Sequence, residues 1–147
     1  MAKLSKEKYL VLMVDDSEDD CLLIKMAVSK ADRLRFIGCV SDGEELVSYL
    51  TGKDNYSDRE RYPLPDMLLL DLKMPELSGF EVLEWIRKRP EYAALPVIIF
   101  SSSSHPDDPR KAKTLGADDY WRKPANSMHY AQVVDLLRKK WLSAGPA

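Results

Sequence analysis

Four short stretches of nearly unbroken apolar residues punctuate the chain: Tyr9-Leu10-Val11-Leu12-Met13-Val14, Phe36-Ile37-Gly38-Cys39-Val40, Met67-Leu68-Leu69-Leu70 and Pro96-Val97-Ile98-Ile99-Phe100. A weaker fifth lies around Asp119-Tyr120-Trp121. Runs of this length without polar alternation predict strands covered on both faces, as in a parallel sheet. Between them the apolar spacing becomes helical. Ile24, Ala27, Val28 and Ala31 fall at i, i+3, i+4 and i+7 behind a cap at Ser17. Gly79, Val82, Leu83 and Ile86 repeat the spacing before a stop at Pro90, and Tyr130, Val133, Val134 and Leu137 do so again, with Trp141 a turn further on. Leu46, Val47 and Leu50 make a shorter helix closed by Gly52, and Asp107 to Leu115 a weak one ended by Gly116.

Strands alternating with helices call for a parallel sheet with helices on both faces, and right-handed crossovers leave a doubly wound α/β sheet as the economical solution. The 147 residues allow one such domain, spanning 9–142, with a short extension at 1–8 and a tail at 143–147. The polar stretch Lys53 to Pro65, with Tyr56 and Tyr62, exceeds a usual connection and makes 52–65 a surface insertion, either without a role or with a binding one. Lys plus Arg number 22 and Asp plus Glu 24, and a net charge of −2 is too small for a sequence-independent nucleic-acid binder. No apolar run is long enough to cross a bilayer and the first residues lack a signal-peptide core, so a cytoplasmic protein is expected. In that reducing compartment Cys21 and Cys39, far apart in sequence, are expected as two separate thiols. Arg87-Lys88-Arg89 and Arg138-Lys139-Lys140 read as solvated helix ends.

Ligands of an open α/β sheet bind at the carboxyl ends of its strands. The residues there are Asp15-Asp16 after the first strand, Asp71 after the third, Ser101-Ser102 at the fourth and Lys123-Pro124 after the fifth. Any one of these acids alone reads equally as a helix cap or a solvated loop charge. Three on one rim repel each other unless a cation sits among them, and an all-oxygen donor set suits Mg²⁺, with Mn²⁺ as an alternative. Carboxylate nucleophile, metal cradle, hydroxyl donor and fixed ammonium together are the parts needed to pass a phosphoryl group to an aspartate.

Val14-Asp15-Asp16-Ser17, Leu69 through Gly79, Ile99-Phe100-Ser101-Ser102 and Gly116 through Pro124 together resemble the receiver domain of two-component response regulators, over Tyr9 to Trp141. The resemblance implies a flavodoxin-like (βα)5 fold with strand order 2-1-3-4-5. It makes Asp71 the phosphoacceptor and gives Mg²⁺ the ligands Asp16, Asp71 and the backbone carbonyl of Lys73, with Asp15 acting through metal-bound water. Ser101 would donate to one phosphoryl oxygen and Lys123 pair with another, while Tyr120 would change rotamer on phosphorylation. Implied partners are a sensor histidine kinase or histidine phosphotransfer protein and a downstream protein target. The insertion also resembles single-domain receivers served by phytochrome-type kinases.

With no output domain visible after Trp141, the expected role is a signalling switch rather than an enzyme, working through protein contacts on the face of the fourth helix, fifth strand and last helix. One rival is a Mg²⁺-dependent phosphatase using an aspartyl phosphate, but haloacid-dehalogenase-like enzymes space their two aspartates Asp-x-Asp, and here Asp15 and Asp16 are adjacent. A non-phosphorylated adaptor of the same fold and a flavin-binding protein are the others. The last helix carries more apolar residues than one core stripe needs. Trp141 therefore either closes the core or joins a patch that pairs two copies in a homodimer.

Overall fold

The computed structural model describes residues 8–74 and 77–143, the side chains of 142 and 143 excepted. The expectations for the extension before residue 8, for Leu142 and for the tail lie outside that description. Five parallel strands, β1 (Tyr9–Val14), β2 (Leu34–Val40), β3 (Met67–Leu70), β4 (Val97–Ser101) and β5 (Asp119–Arg122), form one sheet in the order β2-β1-β3-β4-β5. The helices are α1 (Glu18–Lys30), α2 (Gly43–Thr51), α3 (Gly79–Lys88), α4 (Asp108–Thr114) and α5 (Tyr130–Ser143). This is the doubly wound arrangement that the apolar runs predict.

Strand alternation sorts the core into two layers. Tyr9, Val11 and Met13 of β1, with Met67, Leu69, Ile98 and Phe100, face Ile24, Ala27 and Val28 of α1 and Tyr130, Val134 and Leu137 of α5. Leu12, Val14, Leu68, Leu70, Val97 and Ile99 face α2, α3 and α4 through Leu46, Leu50, Val82, Leu83, Ile86 and Ala112. Trp141 is partly buried against the α1–α5 layer. Helix starts follow their caps. Ser17 Oγ accepts from Asp20 N–H, Asp42 from Glu45 N–H, and Ser78 and Glu81 form a reciprocal capping box.

Two expectations need correcting. Cys21 and Cys39 are not separate thiols but a disulfide, with Cα atoms 6.2 Å apart. Their separation along the chain hid the fact that β2 runs beside β1, pairing Met13 with Cys39, and that the first turn of α1 lies over the same rim. Arg87 is not a solvated helix end either. Its guanidinium donates to the carbonyls of Ala93, Leu95 and Gly116 and pairs with Asp118 at 2.8 Å, tying the end of α3 to the turns before β4 and β5. The stretch expected as a surface insertion is largely exposed and also packs on α2. Tyr56 and Tyr62 ring Tyr49 of α2, and Arg59 caps the end of that helix through the carbonyls of Tyr49 and Leu50.

Candidate functional site

The sheet delivers the rim residues together by extending its own ladder. Asp15 N–H donates to Val40 carbonyl and Asp71 N–H to Val14 carbonyl, each at 3.0 Å, so both acids continue the hydrogen-bonding of strands that have just ended. Lys123 N–H donates to Ser101 carbonyl at 2.8 Å and brings the lysine to the same edge. Asp15 and Asp71 are buried while Asp16 is exposed, and one carboxylate oxygen from each lies within 4.8 Å of the others. Gly79 at the start of α3 touches the acceptor loop so closely that a Cβ there would lie 2.2 Å from Asp71 carbonyl oxygen.

Lys123 Nζ is 2.6 Å from Asp15 Oδ2, 2.7 Å from Asp20 Oδ2 and 3.8 Å from Asp71 Oδ1. Burial alone would make this ammonium easier to deprotonate, but its hydrogen bonds to Asp15 and Asp20 carry its pKa well above that of an ordinary lysine. Asp71 moves the other way: burial first, and then the charge of Asp15, push its carboxyl up to about 6. Burial likewise raises Asp15, against the opposing pull of Lys123. At Asp71 the like charge of Asp15 outweighs the opposing charge of Lys123, whereas at Asp15 burial is what opposes ionisation. Hard oxygen donors in electrostatic excess suit a divalent cation, so the residues fit the Mg²⁺ that the sequence calls for.

Ser101 is fully buried at the end of β4, and its Oγ accepts from Ser103 N–H at 3.1 Å. The Tyr120 hydroxyl is buried near Ser101, and burial, followed by the charge of Asp108, pushes its pKa up against the pull of the Ser101 hydroxyl. Lys73 is exposed. Asp20 was not anticipated from the sequence, where it reads as one of three acids favouring the helix start; its separation of about one helical turn from the Ser17 cap is the feature that turns it toward the rim.

The sequence model of the response regulator receiver domain matches residues 11–135. The chain belongs to that family. The receiver is 30% identical over 150 residues to the probable methanogenesis regulatory protein FilR2 of Methanothrix harundinacea, covering 97% of this chain and 92% of that one. It superposes on the phosphorylated cyanobacterial phytochrome response regulator RcpA with a TM-score of 0.83 at 31% identity, covering 95% and 97% of the two chains. The Mn²⁺-bound response regulator Rcp1, known from a Synechocystis species, gives a TM-score of 0.80 at 27% identity over 95% and 99%. These relatives are of nearly the same length as this receiver. As a member of the family it is a two-component signalling protein whose fold serves phosphorylation on an aspartate. No helix among the described residues is long and apolar enough to cross a membrane.

Proposed function

We propose that this receiver is a cytoplasmic signalling switch that takes a phosphoryl group on Asp71 from a phosphohistidine of a sensor kinase or phosphotransfer protein. The observation that carries the reading is the buried Asp71 carboxylate at the end of β3, grouped with Asp15 and Asp16 and with the Lys123 ammonium 3.8 Å away. An Asp71 oxygen attacks phosphorus, the new O–P bond forms as the N–P bond breaks, and the imidazole leaves with the bonding pair and takes up a proton. Asp16, Asp71 and the carbonyl of Lys73 would hold Mg²⁺ or Mn²⁺, with Asp15 behind them through water. Such an ion, when bound, neutralises phosphoryl charge and helps align donor and acceptor. Lys123 meets one phosphoryl oxygen and Ser101 donates to another, so catalysis is positioning and charge neutralisation by preset groups.

Output follows from the same rim. When Ser101 turns its hydroxyl to the phosphoryl group, Tyr120 settles inward behind it and alters the face of α4, β5 and α5, where a downstream protein binds. Leu136 is a half-exposed apolar residue of α5 that a second copy could cover. The likeness to RcpA and Rcp1 supports a phytochrome-type kinase as donor. The test is intact-mass spectrometry after incubation with acetyl phosphate and Mg²⁺, followed by peptide mapping. One phosphoryl group on Asp71, absent from Asp71→Asn, is the expected result; a gain that persists in that variant moves the acceptor elsewhere. Sedimentation of both forms at matched concentration tests pairing.

A further inference from the structure

One carboxylate on the rim stands outside the metal cradle. Asp20 is not among the three acids whose oxygens converge. It sits in the first turn of α1, where its Oδ2 accepts from Lys123 Nζ at 2.7 Å and its Oδ1 from the Tyr130 hydroxyl at 3.2 Å. Tyr130 is itself buried, with its ring edge-on to Phe100, so Asp20 is clamped between α1 and the start of α5.

An ammonium has three protons to give. Lys123 directs one to Asp15 and one to Asp20, while Asp71 at 3.8 Å lies beyond hydrogen-bond length. The lysine thus rests on the α1 side of the rim, away from the acceptor. Its third proton is left for a phosphoryl oxygen on Asp71, but moving toward that oxygen draws the ammonium away from the α1 side, at the expense of one of the two bonds it already makes. Asp15 is the expensive one to abandon, because its side chain is 0% exposed and would be left charged and desolvated. The Asp20 side chain is 24% exposed and keeps the Tyr130 hydroxyl as a donor.

We infer that Asp20 is a positioning residue that parks Lys123 in the resting state and competes with the phosphoryl group for its ammonium. The inference rests on the roles proposed above for Asp71 and Lys123. Asp20 sets how readily the lysine is released, and on release it keeps its bond from the Tyr130 hydroxyl, so α1 stays tied to the start of α5.

The experiment follows the initial rate of Asp71 labelling by acetyl phosphate with Mg²⁺ in the full chain, using Asp20→Asn, Asp20→Ser, Asp20→Glu and, as a charge control, Asp19→Asn. Asp19 is an exposed neighbour on the same turn. Asp20→Asn and Asp20→Ser are expected to label roughly fivefold faster, the difference between a charged and a neutral acceptor on one ammonium proton. Asp20→Glu, which keeps the charge within reach, should return to the wild-type rate, and Asp19→Asn should leave it unchanged. Unchanged or slower labelling in both neutral Asp20 variants overturns the inference, as does equal acceleration by Asp19→Asn, which would make the effect one of overall charge. A wild-type chain labelled elsewhere than Asp71 overturns the acceptor assignment, and this inference with it; peptide mapping tells the two failures apart.

Discussion

Neutralising the acceptor should stabilise the metal-free protein. Burial and the neighbouring Asp15 charge raise the Asp71 carboxyl from 3.8 to about 6. A carboxyl whose pKa is raised by folding binds protons more readily in the native state, so its contribution is fully favourable below the unfolded value and is lost as pH rises through the folded one. At about 1.4 kcal/mol for each pH unit between the two, ionised Asp71 costs the fold about 3 kcal/mol at neutral pH. Asp71→Asn keeps the side-chain shape and an oxygen for Leu72 N–H, which donates to Asp71 Oδ1 at 2.9 Å, and removes that cost. We expect the variant, in EDTA at pH 7.5, to gain about 1–3 kcal/mol in urea unfolding, the upper figure being the full electrostatic cost. The advantage should shrink as pH falls below 6 and vanish near 4, where the wild-type carboxyl is protonated in both states. Millimolar Mg²⁺ should close the gap from the other side by stabilising only the wild type. Equal stabilities at pH 7.5, or an advantage that is constant from pH 7.5 to 4, would refute the reasoning.

Gly79→Ala forces a Cβ to within 2.2 Å of Asp71 carbonyl oxygen and 2.7 Å of Leu72 Cα, both backbone atoms. It should cost about 1–3 kcal/mol in urea unfolding and slow Asp71 labelling together; a loss of stability with normal labelling would separate the two. The Cys21–Cys39 bridge closes a separation of 18 residues, so dithiothreitol should destabilise the wild type by about 3 kcal/mol and leave a Cys21→Ser/Cys39→Ser double variant unaffected. Two free thiols titrating in the untreated native protein would contradict the bridge. Tyr56→Phe removes the hydroxyl that donates to Glu45 at 2.6 Å and should cost about 1 kcal/mol at pH 7. Burial opposes ionisation of Glu45, but hydrogen bonds from Tyr56 and Ser41 hold its pKa below 4.5, so the cost should be present above that value and fade as pH falls beneath it; a cost unchanged at pH 3 would contradict the assignment.

The strands were legible because a sheet covered on both faces demands unbroken apolar runs, and β1 and β3 begin and end where those runs do. Asp15, Asp71, Ser101 and Lys123 were legible for a related reason: each sits at or just after the point where a strand ends. What escaped was contact across the chain by residues that carry a second, local explanation. Asp20 favours a helix start and Arg87 a helix end, and each does so while also binding a distant partner, Lys123 for one and Asp118 for the other. The cysteine pair escaped because spacing along the sequence carries no record of which strand lies beside which. The extended segment after α2 was recognised by length alone, since the carbonyls it caps belong to backbone and leave no trace in residue type.

That segment brings its fastenings with it. Arg59 and Tyr56 belong to the added stretch, and their acceptors on α2 are two main-chain carbonyls and Glu45. The helix fastens the stretch in return. Tyr49 is 2% exposed and its hydroxyl donates to Pro63 carbonyl inside the stretch, so a deletion strands a buried polar group on α2 until that tyrosine changes too. Shortening this connection and replacing Tyr49 are therefore coupled changes.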